Sequence, residues 1–194
     1  MVVDTELRVT DLKQYAYCAR IPFYQNVMGF TGKPTYKMQR GHEAQSAIES
    51  LERRRKLREY GLVEGRRHFG SLLFSKSLGL SGKLDLLIET DGACYPVDFK
   101  YTTGRPHHNH LLQLAGYSLL VSEKFSKPVP AGFIFIITED VTLRFAMTDA
   151  LLSEARSALS AMQGMIQHEV FPAPTPVRAR CTDCEYRNFC GDVF

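Results

Sequence analysis

No apolar run in this chain approaches the roughly 18 residues that a bilayer-spanning helix requires. The opening, Met1-Val2-Val3-Asp4-Thr5-Glu6, lacks the basic and apolar regions of a secretory signal. Internal repeats and low-complexity tracts are absent as well. Neither sign of charge is in excess, since 24 Lys and Arg against 21 Asp and Glu leave a net +3. These absences argue against a membrane protein, a secreted protein and a fibrous array, and the expected location is cytoplasmic. Charged residues at 23% and hydrophobic residues at 44% are ordinary values that also argue against disorder. At 194 residues the chain can bury a real core, most simply as one domain. An isoelectric point near 8.6 permits nucleic-acid binding without arguing for it, so any basic surface has to come from local clustering.

Cysteine is scarce but concentrated. Cys181, Cys184 and Cys190 form a C-x2-C-x5-C run near the C-terminus, and Cys18 lies far upstream. Cytosolic thiols stay reduced, so such a set points to metal binding rather than to disulfides. Filling it would join the two ends of the chain. Four thiolates suit an iron–sulfur cluster or zinc. The long first gap and the x5 spacing favour a cluster over a zinc ribbon, which has two paired knuckles. Cys94 stands apart in a strand-like stretch and reads as a core residue.

Along the chain, Thr10-Asp11-Leu12-Lys13 reads as a helix start with Thr10 as N-cap, and that helix ends near Pro22. A loop follows over 29–35, then a helical pattern from about Tyr36 to Tyr60. The basic run Arg53 to Arg58 reads as a solvated helix face interleaved with Glu49, Glu52 and Glu59. Strands are expected at Arg67–Ser75, Gly82–Thr90 and Ala93–Tyr101, followed by a helix from His108 to Phe125. Two more strands, Ala131–Thr138 and Val141–Ala146, precede a long helix capped by Thr148 and ending near His168. The order α, β-meander, α, β-hairpin, α gives an α/β (α+β) architecture.

Asp91-Gly92 is a strong two-residue hairpin signal. A tight turn there makes paired positions sum to 183, which sets Asp85 opposite Asp98. Side-chain alternation puts Lys100 on the same face as Asp98. Leu84, Leu86 and Ile88 with Tyr95, Val97 and Phe99 form the other, core-facing side. Directly opposed Cβ atoms lie roughly 4.5–5.5 Å apart, so two aspartates there repel unless a cation joins them. Magnesium or manganese held by such a pair can polarise a phosphate and acidify an attacking water. Lys100 can position or deprotonate that water, or offset charge on phosphorus. Gln113 and Tyr117, four apart on the following helix, share a face and can hydrogen-bond a phosphate or orient a water. His42 is a further candidate ligand. His107, His108 and His110 read as flexible phosphate contacts.

The order of Cys18, Gly41-His42, Gly82-Lys83-Leu84-Asp85, Val97-Asp98-Phe99-Lys100, Gln113-Leu114-Ala115-Gly116-Tyr117 and C-x2-C-x5-C resembles the RecB-like iron–sulfur nucleases of the PD-(D/E)xK superfamily. With the short chain and the opening Val9-Thr10-Asp11-Leu12-Lys13-Gln14-Tyr15-Ala16-Tyr17-Cys18, it is most similar to the CRISPR-associated RecB-like exonucleases of spacer acquisition. The resemblance runs from residue 8 to 190. It implies a restriction-endonuclease-like core, with a central mixed sheet flanked by helices and a cluster joining the N- and C-terminal segments. One nuclease domain would then cover 1–194, with 36–170 as the core and 1–35 and 171–194 as cluster-binding segments. His42, Asp85, Asp98 and the Phe99 carbonyl would hold Mn2+ or Mg2+, and Lys100 would activate the water. Gln113 and Tyr117 would match the family's Q-x3-Y motif. Cys18, Cys181, Cys184 and Cys190 would bind the cluster, [4Fe–4S] in most relatives and [2Fe–2S] in some. Many relatives carry glutamate where this chain has Asp98, which puts metal preference and rate in doubt.

The function so implied is a metal-dependent DNA exonuclease, also able to cut endonucleolytically, that trims single-stranded ends or overhangs of prespacer DNA. The CRISPR integrase would be its partner, separate or fused. Arg20, Lys33, Arg40 and the Arg53–Arg58 run are candidates for backbone contacts, and Tyr24 and Tyr36 for base stacking. Two alternatives stand beside it: the nuclease module of a RecB-type repair machine, and a non-catalytic DNA-binding subunit.

Overall fold

The computed structural model describes residues 6–30, 48–182 and 184–191. In chain order the elements are β1 (Leu7–Arg8), α1 (Val9–Tyr17), α2 (Arg20–Asn26), β2 (Arg66–Ser75), β3 (Leu80–Glu89), β4 (Cys94–Lys100), α3 (His108–Phe125), β5 (Ala131–Ile136), β6 (Val141–Ala146), α4 (Asp149–Gln167) and the short α5 (Arg187–Cys190). A helical stretch over 48–52 and 3-10 turns at Leu57–Tyr60 and Arg178–Cys181 complete the description. None of the helices described is long and apolar enough to cross a membrane.

The hairpin closes as the Asp91-Gly92 signal requires. The Thr90 N–H donates to the Ala93 carbonyl at 2.9 Å. Leu86 pairs with Val97, and Glu89 with Cys94, so the expected register holds. β2 flanks β3 antiparallel on one side. On the other side β1 pairs parallel with the start of β3 and β4 antiparallel with its end. β4 then pairs parallel with β5 through the α3 crossover, and β5 pairs antiparallel with β6. The result is a mixed sheet with helices packed on it, the architecture expected from the element order.

Both faces of the sheet are buried, which the sequence reading did not foresee for the carboxylate face. Leu86, Ile88, Val97, Phe99, Phe133 and Phe135 form one core with Ile48 and Tyr60. The other face carries the larger core, packed under α1, α3 and α4. Leu84, expected with Leu86 and Ile88, belongs to this helix-side core instead. Next to it the β2–β3 ladder skips one pair, Gly70 against Asp85. Gly70 adopts φ +57°, a backbone conformation open mainly to glycine, and the interruption breaks strict alternation along β3.

The helix boundaries carry two corrections. α1 begins at Val9 with Arg8 as N-cap, not Thr10, and Asp11 accepts the Arg8 N–H at 2.9 Å. Pro22 does not end that helix but sits in the first turn of α2, where a missing N–H removes no helix hydrogen bond. Among the described residues, the helical pattern expected from 36 to 60 ends at Glu52, and the basic run forms turns. Arg55 is tied to Glu52, Glu59 and Asp140 and lies over the Phe135 ring at 4.5 Å, so it serves the fold.

Helix α1 lies close against α3. A Cβ on Gly116 would meet Leu12 Cδ1 at 2.6 Å, and one on Gly82 would meet Val9 Cγ2 at 2.9 Å and Tyr117 Cε1 at 3.0 Å. A methyl at either crossing would force a neighbouring side chain to shift. The two crossings seat the N-terminal helix over the stretch of β3 between its β1 and β4 partners.

Candidate active site

Asp85 and Asp98 lie one step beyond the last hydrogen-bonded pair of the β3–β4 ladder, at the point where the strands part. The Asp85 side chain bridges the opening, its Oδ2 accepting the Phe99 N–H at 2.8 Å. Burial pushes the Asp85 carboxyl up to about 7, and Asp98 adds to the rise; the Phe99 N–H, Lys100 and Lys83 pull the other way. Asp98 is only 2% exposed. Its Oδ2 lies 2.6 Å from Lys100 Nζ, yet among the described residues no donor is aligned with it for a hydrogen bond. A buried carboxylate oxygen so placed, beside a second carboxyl held partly protonated by burial and by its neighbour, fits a divalent cation as the missing partner.

Lys100 Nζ also donates to Gln113 Oε1 at 2.8 Å. Gln113 in turn hydrogen-bonds Tyr117, whose hydroxyl donates to the Lys83 carbonyl at 2.9 Å. Burial, then Asp98 and Asp85, push the Tyr117 phenol above its ordinary value, so it keeps its proton. The structure thus brings together Asp85, Asp98, Lys100, Gln113 and Tyr117. Gln113 and Tyr117 brace the lysine from α3, and Phe99 contributes its N–H to Asp85. His42 lies outside the described residues. No group of three or more His, Cys, Asp or Glu side chains among the described residues is arranged to hold a metal.

The sequence reading missed a second lysine. Lys13 of α1 is half-buried near Lys100 and Asp98, and its ammonium is drawn down to about 8 by burial and then by Lys100, against the pull of Asp98. The signal was available, because Lys13 occupies a position on the stripe of Val9, Leu12 and Ala16 where an apolar residue belongs. Of the histidines, His110 is pushed down to about 3, first by burial and then by Lys100 and Lys13. It is therefore neutral and no phosphate-binding cation. His108 pairs with Glu154 at 2.7 Å.

Cys18, Cys181, Cys184 and Cys190 line one pocket with Tyr17, Ile21, Tyr24, Tyr186 and three arginines, Arg20, Arg180 and Arg187. None of the five cysteines forms a disulfide. Burial raises the Cys184 thiol, with Cys18, Cys181 and Cys190 as further causes. Arg20 Nη1 donates to Cys190 Sγ at 3.2 Å and its Nε to the Pro172 carbonyl at 2.9 Å, while its guanidinium covers the Phe171 ring. Arg20 is thus buried against the cysteines and is not a DNA backbone contact. Tyr24 is likewise buried, stacked on Tyr186 at 5.4 Å and hydrogen-bonded to Cys190, and is not a base-stacking platform. Lys33, Tyr36 and Arg40 lie outside the described residues. The chain ends are also joined without any metal: Arg180 caps the Ala16 and Tyr17 carbonyls, and the Tyr17 hydroxyl donates to the Arg180 carbonyl.

Comparison with known proteins agrees with this geometry. A family model described as the PD-(D/E)XK nuclease superfamily matches residues 15–191. The chain is 31% identical over 189 residues to a CRISPR-associated exonuclease Cas4 of Francisella tularensis subsp. novicida, covering 97% of this chain and 95% of that protein. A Cas4 exonuclease of Thermoproteus tenax is 27% identical over 190 residues, covering 94% and 92%. In fold, the chain resembles an alkaline exonuclease (LHK-Exo) from Laribacter hongkongensis, with TM-score 0.57, 15% identity and coverage of 84% and 89%. It also resembles the crystal structure of SSO0001, with TM-score 0.56, 18% identity and coverage of 98% and 88%. The match along almost the whole chain and the carboxylate pair beside Lys100 agree: the chain belongs to the PD-(D/E)XK superfamily of divalent-metal nucleases and, within it, to the CRISPR-associated exonucleases.

Proposed function

We propose that this protein trims single-stranded ends or overhangs of prespacer DNA by metal-dependent hydrolysis and hands the product to the CRISPR integrase. The observation that carries the reading is the pair of half-buried Asp85 and buried Asp98 with Lys100 at the parting of β3 and β4. Its support is the match to CRISPR-associated exonucleases over 97% of the chain. Neither a repair-machine module nor a non-catalytic subunit draws comparable support.

Asp85 and Asp98, with His42 and the Phe99 carbonyl, would hold Mn2+ or Mg2+. When bound, that ion polarises the phosphate and eases deprotonation of the attacking water. Lys100, aimed by Gln113, orients the water and meets negative charge gathering on phosphorus. Tyr117 fixes Gln113 from the Lys83 carbonyl. Water adds in line to phosphorus as the 3′ oxygen departs.

The four cysteines would hold an iron–sulfur cluster, [4Fe–4S] by family likeness, with a structural role. The arginines around the pocket offset the negative charge of four thiolates. Anaerobically purified protein should be brown, and Cys184→Ser should lose the visible absorbance. The variant should remain folded with a lower melting temperature, because Arg180 and Tyr17 still tie the ends. A colourless parent with one zinc per chain would overturn the cluster assignment.

The function is tested on duplexes with labelled 3′ or 5′ overhangs, in Mn2+, with and without the integrase. Shortening of the overhang to a fixed length in the presence of integrase is expected. A parent that binds these substrates and never cuts them refutes the proposal.

A further inference from the structure

Lys13 is a cation in search of a partner. Among the described residues no carboxylate pairs with its ammonium; Asp98 is engaged by Lys100, and Asp85 by the Phe99 N–H. Its position is imposed by packing rather than chosen by solvent. The preceding residue, Leu12, is wedged against Gly116 of α3, one turn beyond Gln113, the residue that holds Lys100. Asp11, clamped to the Arg8 backbone and guanidinium, fixes the start of the same helix, and Arg180 caps its end. A half-buried ammonium beside a second ammonium is costly unless an anion joins them. Burial and Lys100 weaken its hold on the proton, as that cost requires. Neutral His110 adds no competing charge beside the two lysines.

The anion that a nuclease site receives is a backbone phosphate. We propose that Lys13 binds a non-bridging oxygen of the phosphate undergoing hydrolysis or of its immediate neighbour, as a second lysine of the catalytic site delivered by the N-terminal helix. This rests on the nuclease reading above and deepens it. Lys100 serves the water side of phosphorus from β4, while Lys13 meets its charge from α1. Because Cys18 follows α1 directly, the helix that carries Lys13 is also the one anchored in the cysteine pocket. Closure of that pocket therefore sets where this lysine stands.

The test uses the full, anaerobically loaded chain and the variants Lys13→Met and Lys13→Arg. Single-turnover cleavage of single-stranded DNA is measured in Mn2+, and DNA affinity against salt in Ca2+. Lys13→Met should lower the single-turnover rate about 10²-fold, the effect of removing one charge-stabilising donor. Lys13→Arg should recover most of it. The salt dependence of binding should flatten by about 0.7 in log–log slope, the loss of one phosphate contact to a single strand. A methylphosphonate at one position should slow the parent and leave Lys13→Met no slower than before. The melting temperature of Lys13→Met should match or exceed the parent's, since a merely structural lysine would lower it. The proposal falls if Lys13→Met cuts within threefold of the parent, or if the methylphosphonate cost is undiminished in it at every position. If the parent itself does not cut, the nuclease reading fails, and Lys13 is then judged on binding alone: an unchanged salt slope refutes it.

Discussion

Asp98→Asn should reduce DNA cleavage by about 10³-fold or more while leaving the protein folded and able to bind DNA. The substitution keeps volume and shape in a site that is 2% exposed, so packing is not disturbed. What changes is charge. The oxygen 2.6 Å from Lys100 becomes neutral, and the divalent cation loses one of its two carboxylates. Two effects on stability oppose each other. Removing Asp98 relieves its repulsion of Asp85, one of the causes of the raised Asp85 carboxyl. It also leaves Lys100 with a weaker counter-charge, although Gln113 still accepts from it and Asp85 still attracts it. The melting temperature without metal should therefore stay within a few degrees of the parent's. Measuring cleavage in Mn2+, DNA affinity in Ca2+ and melting in chelator separates a catalytic loss from a folding loss. A variant that cuts at a tenth of the parental rate would remove Asp98 from the proposed metal site. One that neither binds nor melts cooperatively would show Asp98 to be a folding residue first.

Much of this site was legible because a two-residue turn is local chemistry with long-range consequences. Asp91-Gly92 sets the register, the register sets Asp85 against Asp98, and the observed pairs from Leu86 with Val97 to Glu89 with Cys94 follow it. The helix His108–Phe125 and the strand Val141–Ala146 are likewise bounded by the residues their sequence pattern selects, and Thr148 caps α4 by accepting from Leu151. What escaped the sequence depends on partners distant along the chain. Arg20 and Tyr24 look like DNA-facing residues until Cys190, Pro172 and Tyr186 are folded against them. The carboxylate face reads as open because a strand pattern does not show that α3 folds straight back over it, joined by α1 from the far end of the chain. Thr10 looked like a cap, but Asp11 captures the Arg8 N–H and moves the boundary by two residues. Lys13 was overlooked for the opposite reason. A lysine in a short helix is ordinarily a surface residue, and its place on the stripe of Val9, Leu12 and Ala16 gains its meaning from the crossings at Gly116 and Gly82, which turn that stripe inward.

Divalent-metal binding should strengthen as pH rises and level off above about 7, following the Asp85 carboxyl. The sign is unusual for a carboxylate. In the unfolded chain Asp85 releases its proton near the ordinary value of about 3.9. In the folded chain it holds the proton up to about 7, because burial and then Asp98 disfavour its charge. Between those values the native state binds more protons than the unfolded state, so this group's contribution to stability falls as pH rises, and the full penalty is present above 7. A bound cation reverses the balance, since it favours the ionised carboxylate. Below pH 7 the metal must displace a proton, which costs up to about tenfold in apparent affinity for each pH step of one. Two measurements follow. In chelator, the melting temperature of the parent relative to that of Asp85→Asn should decline from pH 5 to pH 8. Over the same interval, the rise in melting temperature caused by a fixed Mn2+ concentration should grow, because ligand stabilisation increases with the ratio of free metal to Kd. Asp85→Asn should show neither trend, while Lys100, Lys83, Asp98 and Tyr117 remain in place around it. An Mn2+ effect of equal size at pH 5.5 and 7.5 would mean that Asp85 does not exchange its proton for the cation. The repulsion between the two aspartates would then need another explanation.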